Sequence, residues 1–314
     1  MIQGVFLVCE KFCNAKADEL HLPPPTTTTT AADIVTETDQ AVEAHVSQRL
    51  SEAYPSFAFV GEETYKPGVR VTDAPTFVVD PIDGTCNFVH GLPEACVSLG
   101  LAVDRRPAVG VVYNPYQDLL YSAIRGRGAY QTLGANWGLE GGRGRRRRLP
   151  LSGSATGSGS GSDPASEERR IPPPLGDLST CLVATEWGSS RDGPNYEAKT
   201  AVFKKLCASR ETGGAMVHSI RSMGSAALNL CSVAAGRLDL YWEGGCWAWD
   251  VCAGWAILTE AGGRIVNANP GDWDPAIDER KYLAVRAAPD PAQQVAVIEE
   301  FWRVVGDARM DYES

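Results

Sequence analysis

The apolar, β-branched run Thr76-Phe77-Val78-Val79 ends in Asp80-Pro81-Ile82-Asp83-Gly84-Thr85. A strand that delivers two carboxylates into a Pro/Gly turn constrains this chain more than any other stretch. Like charges held together repel unless something positive stands between them, and a divalent cation meets that need with oxygen ligands. Behind Asp83, the backbone N–H groups of Gly84 and Thr85 point at a phosphate if a helix begins there. Metal and phosphate together predict phosphoryl chemistry.

Phe57-Ala58-Phe59-Val60 reads as a second short strand, followed by Gly61-Glu62-Glu63. Two glutamates after a strand usually mark a solvated loop. If the strands ending at Val60 and Val79 lie side by side, however, Glu62, Asp80 and Asp83 converge at one sheet edge as ligands of a hard cation must. Residues 33–39 alternate like a strand or turn, and from Gln40 the apolar positions Ala41, Val42, Ala44, Val46 and Leu50 fit one face of a helix. Asp39 then reads equally as the helix N-cap or as a catalytic carboxylate. His90, close in sequence to the acidic turn, reads as a structural or supporting histidine ahead of a metal ligand or base, since hard cations favour oxygen.

Downstream, the runs 96–103, 108–113 and 119–124 are separated by short turns and predict an antiparallel meander. From residue 181 onward, strand-like runs (181–185, 217–220, 239–243, 264–266, 282–285) alternate with helical ones (196–206, 226–235, 251–261, 295–305). The second half is therefore α/β in character and packs on the antiparallel first half. Two stretches break the pattern. Residues 1–32 contain Pro23-Pro24-Pro25 and a Thr run, and predict a poorly ordered lead-in. Residues 134–176 are rich in Gly, Ser and Pro and hold the basic run Arg145-Arg146-Arg147-Arg148; they predict a low-complexity, disordered insertion, with the arginines a solvated charge run or, as the alternative, a localisation or polyanion-binding patch. A single domain over 33–314 remains.

A formal charge of −10 over 314 residues argues against nonspecific binding to nucleic acid or an anionic membrane. Nine Cys without a C-x-x-C pair read as reduced, mostly buried thiols. The run 1–8 lacks a basic leader and is too short to span a bilayer, so a cytoplasmic protein is expected.

These motifs resemble the magnesium-dependent, lithium-sensitive inositol monophosphatases. The resemblance rests on Gly61-Glu62-Glu63, on 80–85 with Asn87-Phe88-Val89-His90-Gly91 behind it, and on Trp249-Asp250-Val251 with Ala253-Gly254 and Thr259-Glu260-Ala261-Gly262-Gly263. Residues 33–40, 188–191 and 221–227 also look like family segments. Three departures stand out: Cys86 where the family often has Thr, a Pro- and Thr-containing N-terminus without the family's long amphipathic helix and lysine, and the 134–176 insertion.

What the resemblance implies is specific. The fold is an α+β, layered α-β-α-β-α sandwich of the sugar-phosphatase type. Two or three Mg²⁺ ions occupy the active site, the first held by Glu62, Asp80 and the Ile82 carbonyl, the second by Asp80, Asp83 and Asp250. Thr85 and Asp39 orient the attacking water, with Glu62 assisting. Gly84 and Thr85 cradle the phosphate, while Asp83, Ser225, Ala226 and Glu243 meet the hydroxyls of a small phosphorylated polyol. The implied reaction is hydrolysis of myo-inositol monophosphate by direct in-line attack, in a homodimer that serves inositol metabolism and phosphatidylinositol signalling. Another small ester (sugar, histidinol or nucleotide phosphate) and a catalytically weak structural or regulatory homologue are the alternatives.

Overall fold

The computed structural model describes residues 27–30, 33–35, 37–135, 144–155 and 170–312. Strands β1 (Thr27–Thr30) and β2 (Asp33–Val35) lead into helix α1 (Glu37–Ala53), β3 (Ala58–Gly61) and β4 (Thr76–Asp83). Then come α2 (Thr85–His90), β5 (Cys96–Val103), β6 (Arg106–Asn114), β7 (Leu119–Ile124), β8 (Ala129–Leu133) and β9 (Arg145–Arg148). The short pair β10 (Ser154–Ala155) and β11 (Arg170–Ile171) precedes β12 (Leu182–Thr185), α3 (Gly193–Cys207), β13 (Ser219–Arg221) and α4 (Ala226–Ala235). Strand β14 (Leu240–Gly244), α5 (Ala248–Glu260), β15 (Arg264–Val266), β16 (Lys281–Val285) and α6 (Pro291–Val305) complete the order.

Seven strands form one sheet in the order β3-β4-β5-β6-β7-β8-β9. It is the expected meander except at one edge, where β3 and β4 run parallel. A mixed five-stranded sheet follows the order β13-β12-β14-β16-β15. Strand alternation assigns the layers. Phe77, Val79, Leu99 and Leu101 meet Val42 and Val46 of α1 on the outer face of the first sheet. On its inner face Val112, Leu119 and Tyr121 join α4 and α5, which also receive Tyr241 and Ala284 of the second sheet. The neighbours Leu240, Trp242, Leu283 and Val285 point the other way, onto α3 and α6. The result is the layered α-β-α-β-α arrangement.

Two glycines determine how closely the central helix can sit. Gly100 and Gly110 face each other across β5 and β6. A Cβ on Gly110 would stand 2.1 Å from the Ala253 carbonyl oxygen, and one on Gly100 2.4 Å from Cys252 Sγ. Without side chains there, α5 lies directly on the sheet, and its first turn, carrying Asp250, reaches the end of β4.

Three expectations change. The Thr run is not irregular: Thr27–Thr30 pairs antiparallel with β2, as β-branched residues favour. Arg145–Arg148 is the edge strand of the large sheet, in register with β8 from Tyr130↔Arg148 to Leu133↔Arg145; charge on an edge strand blocks further pairing without forbidding the ladder. The Arg146 guanidinium lies 3.7 Å from the Tyr130 ring centroid. At the other end of the supposed insertion, Arg286 donates to the carbonyls of Pro173 (2.8 Å) and Pro174 (3.0 Å), and Leu175 is buried. The remainder of the expected lead-in and insertion, residues 1–26, 31–32, 136–143 and 156–169, lies outside the described residues. Third, α1 begins two residues before Asp39, which places Asp39 in the first turn and not at the N-cap. The seven Cys among the described residues are all free thiols. Among those residues no helix is long and apolar enough to cross a membrane.

Candidate active site

Parallel pairing of β3 with β4 places Gly61 opposite Val79, so Glu62 and Asp80 leave the sheet side by side. Asp80 and Asp83 are three residues apart and would face opposite ways in a regular strand. The β4–β5 ladder shifts between them: Asp80 pairs with Ser98 and Asp83 with Cys96. Three steps on β4 thus match two on β5. This one-residue bulge, which contains the donor-less Pro81, turns both carboxylates to the same side. Asp250 arrives from the first turn of α5, its carboxylate accepting the Trp247 N–H at 2.6 Å.

Oxygen atoms of Asp80, Asp83 and Asp250 lie within 4.8 Å of one another. Glu62 stands outside that trio and is hydrogen-bonded through its side chain to Asp80. Burial, then the charges of Glu62, Asp83 and Asp250, pushes the Asp80 carboxyl well above its usual range. Burial and then Asp250 push Glu62 up in the same way. Asp83 is raised to about 6 by burial, against the opposing hydrogen bonds of Ser225, Ala227 and Ala226. Asp250 is raised to about 8, by burial and then by Asp83. A buried carboxylate cluster whose members raise one another needs protons or cations, and an all-oxygen donor set suits a hard divalent ion. The residues present therefore fit the metal that the motifs imply. Ile82 donates its N–H to Asp80 Oδ1 (2.9 Å), and its carbonyl accepts the Thr85 hydroxyl (3.0 Å).

This electrostatics gives a pH prediction. The folded, metal-free protein keeps protons on carboxyls that the unfolded chain releases near pH 4, so the folded state binds more protons up to about pH 8. Stability of the metal-free protein is then greatest below that window and falls as pH rises through it. A divalent cation held by these carboxylates would compete with those protons and reverse the loss. Thermal unfolding in EDTA and in Mg²⁺ checks this: the midpoint gap between the two widens from about pH 5 to about pH 8. A metal-free midpoint that rises over the same window contradicts the account.

Helix α2 starts directly after Asp83. Gly84 caps it at φ +91°, a left-handed conformation, and a Cβ there would meet the Glu94 carbonyl oxygen at 2.8 Å. The leading N–H groups of any helix have no partner inside it, and those of α2 lie beside the carboxylates. The Thr85 hydroxyl stands 3.3 Å from Asp39 Oδ1. On the far side, Ser225 caps α4 and donates to Asp83 Oδ2 at 2.5 Å, joined by the N–H groups of Ala226 (3.3 Å) and Ala227 (2.7 Å). Glu243, at the end of β14, accepts the Tyr241 hydroxyl. Burial and the Glu186 charge raise its carboxyl to about 7, against the pull of Lys199. His90 is exposed in the last turn of α2, apart from the trio.

Sequence reasoning brought the carboxylates together but missed several groups that support them. Glu43 of α1 accepts the Glu63 N–H at 2.8 Å and packs against Gly61. Asn87 donates to the carbonyls of Glu94 and Met223. Lys199 is buried and donates to the Gly244 carbonyl at 2.7 Å. Glu186 accepts four hydrogen bonds from the turn before α4 and from α4 itself. The signal for Glu186 was present: like Glu62, it is a carboxylate directly after a short strand.

Comparison with known proteins finds relatives over nearly the whole chain. The sequence model described as the inositol monophosphatase family matches residues 5–305, taking in part of the N-terminal segment that the motifs alone left outside. Inositol monophosphatase 2 of Saccharomyces cerevisiae is 43% identical over 274 residues, covering 86% of this chain and 82% of its own. Protein qutG of Emericella nidulans is 38% identical over 306 residues, with 90% and 84% covered. Among solved structures, the extragenic suppressor protein suhB of Bartonella henselae superposes with a TM-score of 0.70 at 26% identity, covering 98% of this chain and 96% of that one.

Proposed function

The chain belongs to the inositol monophosphatase family, phosphatases of phosphoric monoesters, and on that premise we propose that it hydrolyses myo-inositol monophosphate to myo-inositol and phosphate with Mg²⁺. The observation that carries this reading is the oxygen-only trio Asp80, Asp83 and Asp250 beside the Thr85–Asp39 pair. Asp80, Asp83 and Asp250, with Glu62 and the Ile82 carbonyl, would hold two or three Mg²⁺. Bound there, the ions supply Lewis-acid stabilisation of phosphoryl charge and make water a better nucleophile.

The chain's own groups do the rest. Asp39 accepts the Thr85 proton, which leaves the hydroxyl oxygen turned to receive a hydrogen bond from the attacking water. The Gly84 and Thr85 N–H groups bind phosphate oxygens where negative charge builds. Asp83 and Glu243 accept hydrogen bonds from polyol hydroxyls, with Ser225 and the α4 N-terminus alongside. No side chain in this scheme becomes phosphorylated. A homodimer belongs to the same reading and is checked by sedimentation.

A relative named qutG and one named for a quinic acid degradation cluster keep a second small ester in view. The test is a Mg²⁺ panel of inositol, sugar, histidinol and nucleotide monophosphates, with and without Li⁺. We expect the highest kcat/KM for inositol monophosphate and its inhibition by Li⁺. A clear preference for a nucleotide 3′-phosphate overturns the substrate assignment, and no turnover of any ester favours the structural or regulatory homologue.

A further inference from the structure

Glu186 directly follows β12 and serves as a common acceptor for the turn that opens α4. Its Oε2 accepts the Ser222 hydroxyl at 2.6 Å, and its Oε1 accepts the N–H groups of Met223 (2.7 Å) and Gly224 (3.0 Å) and the Asn229 amide (2.8 Å). The same turn is gripped from the opposite side. Asn87, two residues after Thr85, donates to the Met223 carbonyl at 2.7 Å. The Gly224 carbonyl oxygen lies 3.1 Å from where a Cβ on Gly84 would stand. Residues 222–224 are thus wedged between the phosphate side of the site and Glu186. The next residues, Ser225, Ala226 and Ala227, place their donors on Asp83.

We propose that Glu186 is a positioning residue: it fixes the 222–224 turn and, through the N-terminus of α4, sets Asp83 in the orientation that binds metal and polyol. One carboxylate replaces four separate contacts, so its loss leaves two backbone N–H groups and the Asn229 amide without their acceptor. The turn then settles differently, and α4's donors on Asp83 move with it. Geometry, and not charge, is the contribution. A glutamine keeps one oxygen for the three Oε1 donors and offers its NH₂ to the Ser222 hydroxyl, which can accept.

The effect on the metal does not depend on the substrate, whereas the effect on KM rests on the reading above. Mg²⁺ is titrated calorimetrically into the full chain without substrate, and kcat and KM are measured for myo-inositol monophosphate. Groups that orient a metal ligand are worth roughly 10–100-fold in affinity or activity. We expect E186A to bind Mg²⁺ roughly tenfold more weakly and to raise KM by a similar factor, with E186Q within about threefold of wild type. Should E186A fail to fold, S222A removes one of the four contacts from the surface, and a weakening of about threefold is expected. Wild-type Mg²⁺ affinity in E186A, or in S222A when E186A does not fold, overturns the proposal. So does an E186Q as impaired as E186A, which would assign the effect to charge. If the wild type binds Mg²⁺ yet releases no phosphate from inositol monophosphate, the substrate reading fails while the titration still decides the role of Glu186.

Discussion

Asp80→Asn is expected to lower Mg²⁺-dependent phosphate release by about a thousandfold or more, because metal-borne charge stabilisation is worth several kcal/mol in the transition state. The substitution is nearly isosteric, and the amide oxygen can still accept the Ile82 N–H that Asp80 Oδ1 now accepts. What disappears is the central negative charge, the one that Glu62, Asp83 and Asp250 all press upon. The metal-free variant should therefore be more stable than the wild type at neutral pH, since a neutral amide avoids what the buried Asp80 carboxyl faces there, either to hold a proton that the unfolded chain gives up or to repel its neighbours. Loss of activity together with a gain in metal-free thermal midpoint is the signature. A variant that is inactive because it unfolds, or one that keeps its rate, contradicts the assignment.

Thr85→Ala carries the second largest expected loss, roughly 10²–10⁴-fold in kcat, the range attributed to one positioned proton-transfer group. The Thr85 hydroxyl has one proton and two acceptors in reach, Asp39 Oδ1 and the Ile82 carbonyl. In either orientation its oxygen keeps a lone pair for the incoming water. Thr85→Ser retains the hydroxyl and should keep most of the rate. If Thr85 and Asp39 act as one unit, adding Asp39→Asn to Thr85→Ala costs little beyond the larger single effect. Additive losses measured in that cycle would separate the two residues and remove Asp39 from the water-orienting role.

Much of this site was legible from local pattern. The run 76–79 and its acidic turn form β4 and its bulge, and the helix expected over 226–235 is α4, closed by Gly236 at φ +74°. Such features depend on residues close in sequence. Two starts were placed late where a proline opens the helix: α3 begins at Gly193 with Pro194 next, and α6 begins at Pro291 behind the capping Asp290. Proline suits the first helical turn, so those signals were available. The bulge that turns Asp80 and Asp83 to one side was not readable, because it exists only relative to the register of β5. Arg145–Arg148 was misjudged for a related reason. An edge strand draws its stability from a ladder with a partner already in place, and its composition records nothing of that partner. At the site itself the place of Glu186 after a strand was readable but its task was not, since its oxygens serve donors 36 to 43 residues further along the chain.

The central claim is that these carboxylates hold a divalent cation on which phosphate release depends. Phosphate released from myo-inositol monophosphate by the wild-type chain, followed in Mg²⁺, after EDTA and after Mg²⁺ is restored, tests it most directly. The account predicts turnover that stops with EDTA and returns with Mg²⁺. A rate that continues unchanged in EDTA would contradict it.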